Sequence, residues 1–405
     1  MVWIPLGLVG GAGVYSWFWL TDFDRQRKKL PELLDEAKKL GLPLTVEEYG
    51  AVLALPAEQN AALIYEEIST RFEKLTADQP EAVNALTSLR VKATDDRLPD
   101  SADAAIAMTE EIDVLFQQAA ERPGCSSNCL SRSSEVGVFK HFGALRFAFK
   151  AGLLRVDRDS LGDDLEAALD RLEWMRRSIV HAFCEPVLMG IVISAALQTL
   201  WLDALNRVVK RHHARPGVLD RAECLLSGLP TLPEMRMGLT GEVAYILEYS
   251  KSVTPSTIDQ HFQKGPPFPL NRSYFRTTRA IEAYVSYGVE SLLRRYREMP
   301  AGSEDWVAIG KVIQTHRNTR DWWRRPCYAF STYNHNIAEI IPIRTTRIRL
   351  ARLGIEIYRV LLNTGSFPPD LPLSGNDVVD ARNGDRFKYV VGQHGFSLTA
   401  NRITY

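Results

Sequence analysis

Arginine and tryptophan side chains suited to ligand recognition are concentrated in one short segment, residues 316–325. Its basic and aromatic members are Arg317, Arg320, Trp322, Trp323, Arg324 and Arg325. Arginine beside tryptophan can bind phosphate, nucleic acid or lipid headgroups through charge and ring stacking. The same composition suits the end of an amphipathic helix with internal stacking, which we favour because acidic residues elsewhere cancel any wider basic field. The segment is retained as a candidate interaction patch.

A second set of candidates combines thiols with an imidazole. Cys125 and Cys129, in the sequence C-S-S-N-C, suggest a metal site or a strained disulfide, with His181 and Glu185 as candidate partners. A structural zinc site needs four ligands and hence a second pair, and no C-x-x-C or H-x-x-x-H lies nearby. Cys184 fits the apolar stripe of a core helix. We therefore predict no metal site here and no cofactor elsewhere.

Residues 157–163, with the sequence D-R-D-S-L-G-D, imitate the start of a calcium-binding EF-hand loop. Carboxylates occupy the first, third and seventh positions and glycine occupies the sixth. The twelfth position, where a bidentate glutamate belongs, is Ala168. Because the segment lies between two predicted helices, we predict a capping turn whose acidic residues stabilise the amino terminus of the second helix.

Further basic residues have structural explanations. His212 and His213 stand at the end of a long predicted helix, where cationic side chains interact favourably with the helix dipole. A basic run on the last long helix is interpreted as a solvated face. Its members are Arg344, Arg347, Arg349 and Arg352.

The whole chain has the composition of an ordinary globular protein. Its 405 residues are 45% hydrophobic and 24% charged, which argues against wholesale disorder and against a polytopic membrane protein. Forty-nine basic residues balance 49 acidic ones, so no overall field draws the chain to nucleic acid, and no nucleic-acid partner is expected. Five scattered cysteines are too few for a disulfide framework.

The amino-terminal segment has the features of a membrane span. Residues 2–20 carry no charged side chain, and about 20 apolar residues are needed to cross a bilayer. We therefore predict a transmembrane anchor at 1–21, with the lipid bilayer as partner of residues 2–20, in a single-pass protein of the cell membrane. A cleaved signal peptide and a buried soluble helix are the alternatives. The basic cluster at 25–29 favours a cytoplasmic body, but the side is left open.

Apolar residues recur at helical spacing through most of the remaining chain. The predicted regions are an N-terminal helical region at 22–130, central helical hairpins at 131–263, a proline-rich linker at 264–270, C-terminal helices at 271–364 and a β-hairpin segment at 365–405. Residues 186–202 carry no charge, but their length is at the lower limit for a span and they include Ser194 and Gln198. We interpret them as the central buried helix of a bundle.

Past Gly365 the hydrophobic period changes from 3.6 to 2, which predicts a β-hairpin. The alternating apolar residues are Phe387, Tyr389 and Val391 in one strand and Phe396, Leu398 and Ala400 in the other. Two strands alone are marginally stable, so we expect them to pack on the preceding helix. The apolar residues that this helix offers are Leu353, Ile355, Leu361 and Leu362. The predicted fold is mainly α: a membrane-anchored helical bundle or TPR-like helical-hairpin array with a small C-terminal β-hairpin.

Several segments carry a resemblance. They are Asn60-Ala61-Ala62 with Tyr65, Arg122 to Cys125, Leu145-Arg146, Ala167 to Leu169, Ile357 to Arg359, Gly365 to Leu371 and Asp380 to Tyr389. Together they resemble a group of uncharacterised bacterial proteins with one amino-terminal span. The closing segment is also similar to the end of type II secretion pseudopilins, although no pre-pilin cleavage motif precedes the anchor and no acidic calcium loop occupies residues 401–405. The resemblance implies an architecture and no activity.

No G-x-S-x-G, Walker loop, H-E-x-x-H or dinucleotide-binding fingerprint occurs in the sequence. Our leading hypothesis is a membrane-anchored scaffold or protein-interaction module of helical-repeat type. A pseudopilin-like component of a secretion or surface-assembly system is one alternative. An enzyme with an unrecognised site is another, and His181, Glu185 and the segment at 322–325 would be the first places to examine.

Overall fold

The chain is mainly helical and ends in a small antiparallel sheet. The computed structural model describes residues 3–88, 98, 101–126, 140–184, 187–232, 235–252, 278–299, 337–392, 395–400 and 403–404, with side chains from residue 21 onward. The predicted mainly α class with an antiparallel C-terminal hairpin is therefore confirmed. The predicted linker at 264–270 lies outside the described residues.

One long helix is followed by shorter helices in the first part of the chain. They are α1 (Trp3–Lys39), α2 (Val46–Val52), α3 (Ala62–Asp78), α4 (Pro80–Ser88), α5 (Ser101–Met108) and α6 (Glu110–Ala120). A capping box opens α2, because Thr45 Oγ1 accepts a hydrogen bond from the Glu48 amide at 3.1 Å while the Glu48 carboxylate accepts one from the Leu44 amide at 2.8 Å.

The central part contains the predicted antiparallel hairpin. Its helices are α7 (Lys140–Leu161), α8 (Leu165–Ser178), α9 (Leu188–His212), α10 (Val218–Ser227), α11 (Met235–Thr240) and α12 (Glu242–Ser252). Only three residues separate α7 from α8. Asp163 adopts a left-handed conformation with φ 66°, and the Asp164 side chain then caps α8 by accepting a hydrogen bond from the Ala167 amide at 3.2 Å.

The C-terminal part consists of two long helices and the sheet. Its elements are α13 (Thr278–Glu298), α14 (Ile337–Thr364), β1 (Lys388–Gly392), β2 (Gly395–Ala400) and β3 (Ile403–Thr404). The strand order is β1-β2-β3, both pairs are antiparallel, and Tyr389 faces Leu398 across the hairpin.

The sheet packs on α14, as expected. Leu398 and Ala400 are buried in the same core as Leu353 and Ile355. Val391 and Leu362 were predicted to join this contact, but they are 45% and 49% exposed. Val391 lies at the outer end of β1 next to the turn, and Leu362 lies in the last turn of α14, so both project beyond the area that the sheet covers.

Two principal clusters of buried apolar side chains organise the molecule. The larger cluster joins α3 to α10 with α14 and the sheet, and the second joins α1, α11, α12 and α13. Helix α9 contributes to both: Leu188, Ile191 and Ala195 lie in the second cluster, and its residues from Leu197 to Val209 lie in the larger one. Helix α9 therefore connects the two cores, and Ile341 at the start of α14 adds a second, smaller connection.

The apolar sequence of α9 also fits a membrane span by length and composition, and among the helices whose side chains are described α9 alone does so. However, 61% of its most apolar stretch is buried inside the protein. Trp201 is completely buried there, and its indole Nε1 donates a hydrogen bond to the Leu172 carbonyl of α8 at 2.8 Å. This burial agrees with the predicted central helix of a bundle.

Candidate functional site

The first helix continues without interruption from the uncharged segment into the folded body. Helix α1 has 37 residues, which corresponds to a length of about 55 Å. The uncharged residues from Trp3 to Leu20 make up its first half, and their side chains lie outside the described set. The described half begins at Thr21 and carries the basic cluster.

The second half of α1 is held against α13 by an apolar interface. Phe23 is completely buried and meets Tyr284 and Tyr287 edge-on, with ring centroids 5.3 and 6.0 Å apart. Leu33 and Ala37 continue the buried stripe along α1. Aromatic edge-to-face contacts add to the free energy of apolar burial and restrict the relative orientation of the helices.

Buried hydrogen bonds among Gln26, Ser286 and Glu290, called the pin below, fix the register of α1 against α13. Gln26 Nε2 donates to Glu290 Oε2 at 2.5 Å and to Ser286 Oγ at 3.4 Å. The Ser286 hydroxyl in turn donates to the Gln26 carbonyl at 2.7 Å. Sliding α1 along α13 would leave these buried groups without partners, which costs about 1–3 kcal/mol per group.

The basic cluster that follows the uncharged segment is largely engaged in this interface. Arg27 pairs with Asp24 of its own helix at 2.9 Å and with Glu282 of α13 at 3.5 Å. Lys29 lies 3.5 Å from the Glu290 carboxylate. The hydrogen bonds from Lys28 and Arg27 lower the pKa of Asp24, so this carboxylate stays ionised near the exit from the uncharged segment. Arg25 is exposed.

At the opposite side of the second core, Glu242 caps the start of α9. Its carboxylate accepts a hydrogen bond from the Leu188 amide at 2.9 Å, where the helix dipole favours negative charge. Burial nevertheless raises the pKa of Glu242 to about 7, against the opposing effects of the Leu188 hydrogen bond and the Arg295 charge. Glu242 is therefore a titratable group inside a helix contact, and the sequence analysis did not single it out.

His181 lies in a one-turn helix, Ile179–Ala182, that connects α8 to α9, and its ring is fully engaged. The Arg122 carbonyl accepts from Nε2 at 2.9 Å, so Nε2 carries the proton. Nδ1 then accepts from the Tyr65 hydroxyl at 2.8 Å. Burial lowers the pKa of His181 to about 4, because the apolar surroundings disfavour the imidazolium.

The His181 ring thus connects three separate segments of the chain. Gly124 and Cys125 belong to the segment that follows α6, and Cys184 lies just after the His181 turn. Cys125 is completely buried, and the sulfur of Cys184 lies near Gly124. Sequence reasoning paired Cys125 with Cys129, which, like Glu185, lies outside the described residues.

The residues that imitate an EF-hand do not form a calcium loop. Asp157 and Asp159 lie within α7 itself and turn into the protein. Asp157 accepts two hydrogen bonds from Arg207 at 2.8 and 2.7 Å, and Asp159 accepts from Arg158 and Arg171. A turn does join the two helices, but its cap is Asp164, one residue beyond the imitated positions, and Asp157 and Asp159 do not cap α8. In the part of the chain that is described, no cluster of His, Cys, Asp or Glu is arranged to hold a metal ion.

A second buried ion network lies next to the first. Arg155 is 1% exposed and donates to the Thr109 hydroxyl at 2.9 Å and the Ile106 carbonyl at 2.6 Å. The Asp113 carboxylate lies 3.3 Å from Arg155 and accepts two hydrogen bonds from Arg171. These charges join α5, α6, α7 and α8, so their role is to fix the packing of helices.

The remaining basic candidates also bind within the protein. His212 is buried, with Nε2 2.9 Å from the Ser160 carbonyl, and His213 stacks on Tyr358 with ring centroids 4.1 Å apart. The explanation of His212 and His213 by the helix dipole alone thus did not include these tertiary contacts.

The predicted solvated face on α14 was wrong. Arg344 binds the Gln198 amide and the Pro230 carbonyl, and burial lowers its pKa to about 10. Arg347 pairs with Asp203, Arg349 donates to the Val379 carbonyl at 3.0 Å, and Arg352 pairs with Asp377. These arginines fasten α14 to α9 and to the segment before the sheet.

The candidate patch at 317–325 lies outside the described residues and stays a prediction. No protein-family profile matches the chain, and neither a curated protein nor a solved structure is significantly similar to it. The arguments for a function therefore depend on the geometry of the described helices, and above all on the unbroken passage of α1 from its uncharged half into the pinned contact with α13.

Proposed function

We propose that this protein is a membrane-tethered helical scaffold, in which the first half of α1 lies in the bilayer and the body presents its surface to a protein partner. The observation that carries this proposal is the continuity of α1. Its uncharged stretch from Trp3 to Leu20 covers about 27 Å as a helix, close to the thickness of the hydrocarbon core. The same helix is then fixed to α13 by the Gln26 and Ser286 pin.

A structural role fits the polar residues of the body better than catalysis does. The buried charges of Asp157, Asp113 and Arg155 are all used in ion pairs or hydrogen bonds that connect helices. His181, the first residue to examine for an enzyme, has both ring nitrogens engaged by neighbouring segments. Such satisfied networks rigidify a protein, which suits a platform for binding.

The arrangement of the sheet favours the scaffold over the pseudopilin alternative. A pseudopilin-like protein would place the small sheet around the long helix that continues from the span. Here the sheet packs on α14 in the larger core, whereas α1 belongs to the second core.

Membrane fractionation of the full-length chain tests the tether. We expect the protein to sediment with membranes, to resist extraction at alkaline pH and to dissolve in detergent with its intact mass. Substituting arginine for both Leu8 and Val14 should move most of the protein into the soluble fraction, because a charge at the centre of a span costs roughly 2.5–3.5 kcal/mol on insertion scales.

A matched control keeps this test specific. Leu63 on α3 and Val114 on α6 are 62% and 51% exposed, so substituting arginine for both adds the same charge to the body surface and should leave the distribution unchanged. Recovery of uncleaved wild-type protein from the supernatant after high-speed centrifugation without detergent would rule out the tether. A protein whose mass is lower by the mass of the uncharged segment would indicate a cleaved signal peptide instead.

A further inference from the structure

Two cysteine side chains that are distant in sequence are brought together beside Tyr65. A β-carbon placed on Gly124 would lie 3.8 Å from the sulfur of Cys184. Cys125 is the next residue, and consecutive Cα atoms are about 3.8 Å apart, so the Cys184 sulfur is within about 9 Å of the Cys125 Cα. Cys125 and Cys184 are both present as thiols. Both also lie close enough to the Tyr65 phenol to add, after burial, to the rise in its pKa.

The backbone that carries Cys125 is held in place from both sides. The Gly124 amide donates to the Gln59 carbonyl at 3.2 Å, and the Gly124 carbonyl accepts from the Ala61 amide at 2.9 Å. On the other side of Cys125, the amide and carbonyl of Ser126 both bond to the Asn60 side chain at 2.9 Å. This short segment therefore has a defined position next to the helices.

The segment that carries Cys184 is fixed to the same place. Its thiol donates to the Val180 carbonyl at 3.4 Å, and the neighbouring His181 ring binds the Arg122 carbonyl. Cys184 is partly exposed whereas Cys125 is buried. A reagent from solution can therefore reach Cys184 more readily than Cys125.

We propose that Cys125 and Cys184 form a redox-active dithiol that closes to an intramolecular disulfide. The oxidant is a small-molecule disulfide such as oxidised glutathione. The Cys184 thiolate attacks one sulfur of this disulfide and releases the first thiol, which leaves a mixed disulfide on Cys184. The Cys125 thiolate then attacks the Cys184 sulfur and displaces the second thiol. The two cysteine protons pass to the two released thiolates, so two electrons reduce the oxidant.

Closure must bring the two segments to the geometry of a disulfide. A disulfide requires Cα atoms about 4.4–6.8 Å apart, and both cysteines lie on short connecting segments rather than inside α-helices. The bond would link the segment after α6 covalently to the turn before α9. It would thereby reinforce the contact that His181 and Tyr65 already make between these segments.

The test uses the full-length protein in detergent micelles. The protein is equilibrated with oxidised glutathione, denatured in iodoacetamide, and digested for peptide mapping by mass spectrometry. We expect a linked peptide pair containing Cys125 and Cys184, loss of alkylation at both, and recovery of both alkylations after reduction with dithiothreitol. The linked peptide is sought in the wild-type protein, so the result does not depend on whether any variant folds.

Cysteine variants identify the pair. Cys224→Ser removes an exposed thiol on α10 and should leave the linked peptide unchanged. Cys184→Ser should abolish the link and leave Cys125 alkylated, and Cys125→Ser should stop the reaction at glutathione bound to Cys184. A link between Cys125 and Cys129, a mixed disulfide that persists on wild-type Cys184, or full alkylation of both thiols would each overturn the proposal.

Discussion

At the scale of single residues, two titratable groups with shifted pKa values should make the stability of this protein depend on pH. His181 and Glu242 both sit at junctions between helices, and burial shifts the pKa of each toward its neutral form. The two shifts have opposite consequences for pH dependence, because neutral histidine has lost a proton and neutral glutamate has gained one.

His181 should make the fold sensitive to acid. Its pKa falls from 6.5 to about 4 on folding, so the unfolded chain binds a proton first as the pH drops. Stability from this group is present above pH 6.5 and is lost progressively down to pH 4, by about 3 kcal/mol. His181→Gln should remove this part of the pH dependence in urea unfolding at pH 7, 5.5 and 4.5. Equal profiles for the variant and the wild-type protein would contradict the prediction.

Glu242 should have the opposite effect on the pH dependence of stability. Its pKa rises from 4.5 to about 7 on folding, so the folded protein retains a proton that the unfolded chain has released. Stability therefore falls as the pH rises from 4.5 to 7 and stays reduced above it, by at most about 3 kcal/mol. Glu242→Gln still accepts the Leu188 hydrogen bond and should melt at a higher temperature than wild type at pH 8, with little difference at pH 4.5. A lower melting temperature at pH 8 would count against this account.

At the scale of elements, specific polar contacts decide which helices are neighbours. The pairing of α1 with α13 joins residues that are far apart in the sequence. Gln26 is 260 positions from Ser286 and 264 positions from Glu290. Helical periodicity shows which face of each helix is apolar, but it carries no information on which two faces meet. The same limit explains why α14 was given a solvated face: its arginines find acceptors on α9 and before β1 only after folding.

The pin between α1 and α13 can be tested at one hydroxyl. Ser286→Ala deletes the donor to the Gln26 carbonyl, and we expect a loss of about 1 kcal/mol together with faster hydrogen exchange in residues 22–39. Ser291→Ala makes the same change five residues further along α13, at a hydroxyl that has no hydrogen-bond partner among the described residues, and should be close to neutral. Equal effects of the two substitutions would show that the pin does not hold α1.

Hydrophobic periodicity, helix-capping residues and turn residues were sufficient to predict the individual helices and strands. The capping box at Thr45, the α7–α8 hairpin and the strand pair around Tyr389 and Leu398 follow from neighbouring residues alone. The candidate clusters were harder to predict, because Cys184 and Tyr65 approach Cys125 only through tertiary packing. Glu242 gave no sequence signal, since an acidic residue at the start of a helix is ordinary.

At the scale of the whole molecule, α9 should make the two cores unfold together. Helix α9 supplies buried residues to both clusters, so neither can lose its packing while α9 stays intact. We expect hydrogen exchange under increasing denaturant to open peptides from α8 and from α12 at the same concentration. The α9 peptides should exchange as slowly as the slowest of these. Separate transitions for the two cores would show that α9 can divide between Ala195 and Leu197.

The unbroken course of α1 has a mechanical consequence for a protein held in a bilayer. A single helix runs from Trp3 to Lys39, and the Gln26 pin lies only a few residues past the uncharged stretch, so the attachment of the body to α1 begins next to that stretch. In the proposed tether, the body would therefore lie close to the lipid headgroups. A partner of the proposed scaffold would then meet it near the membrane surface.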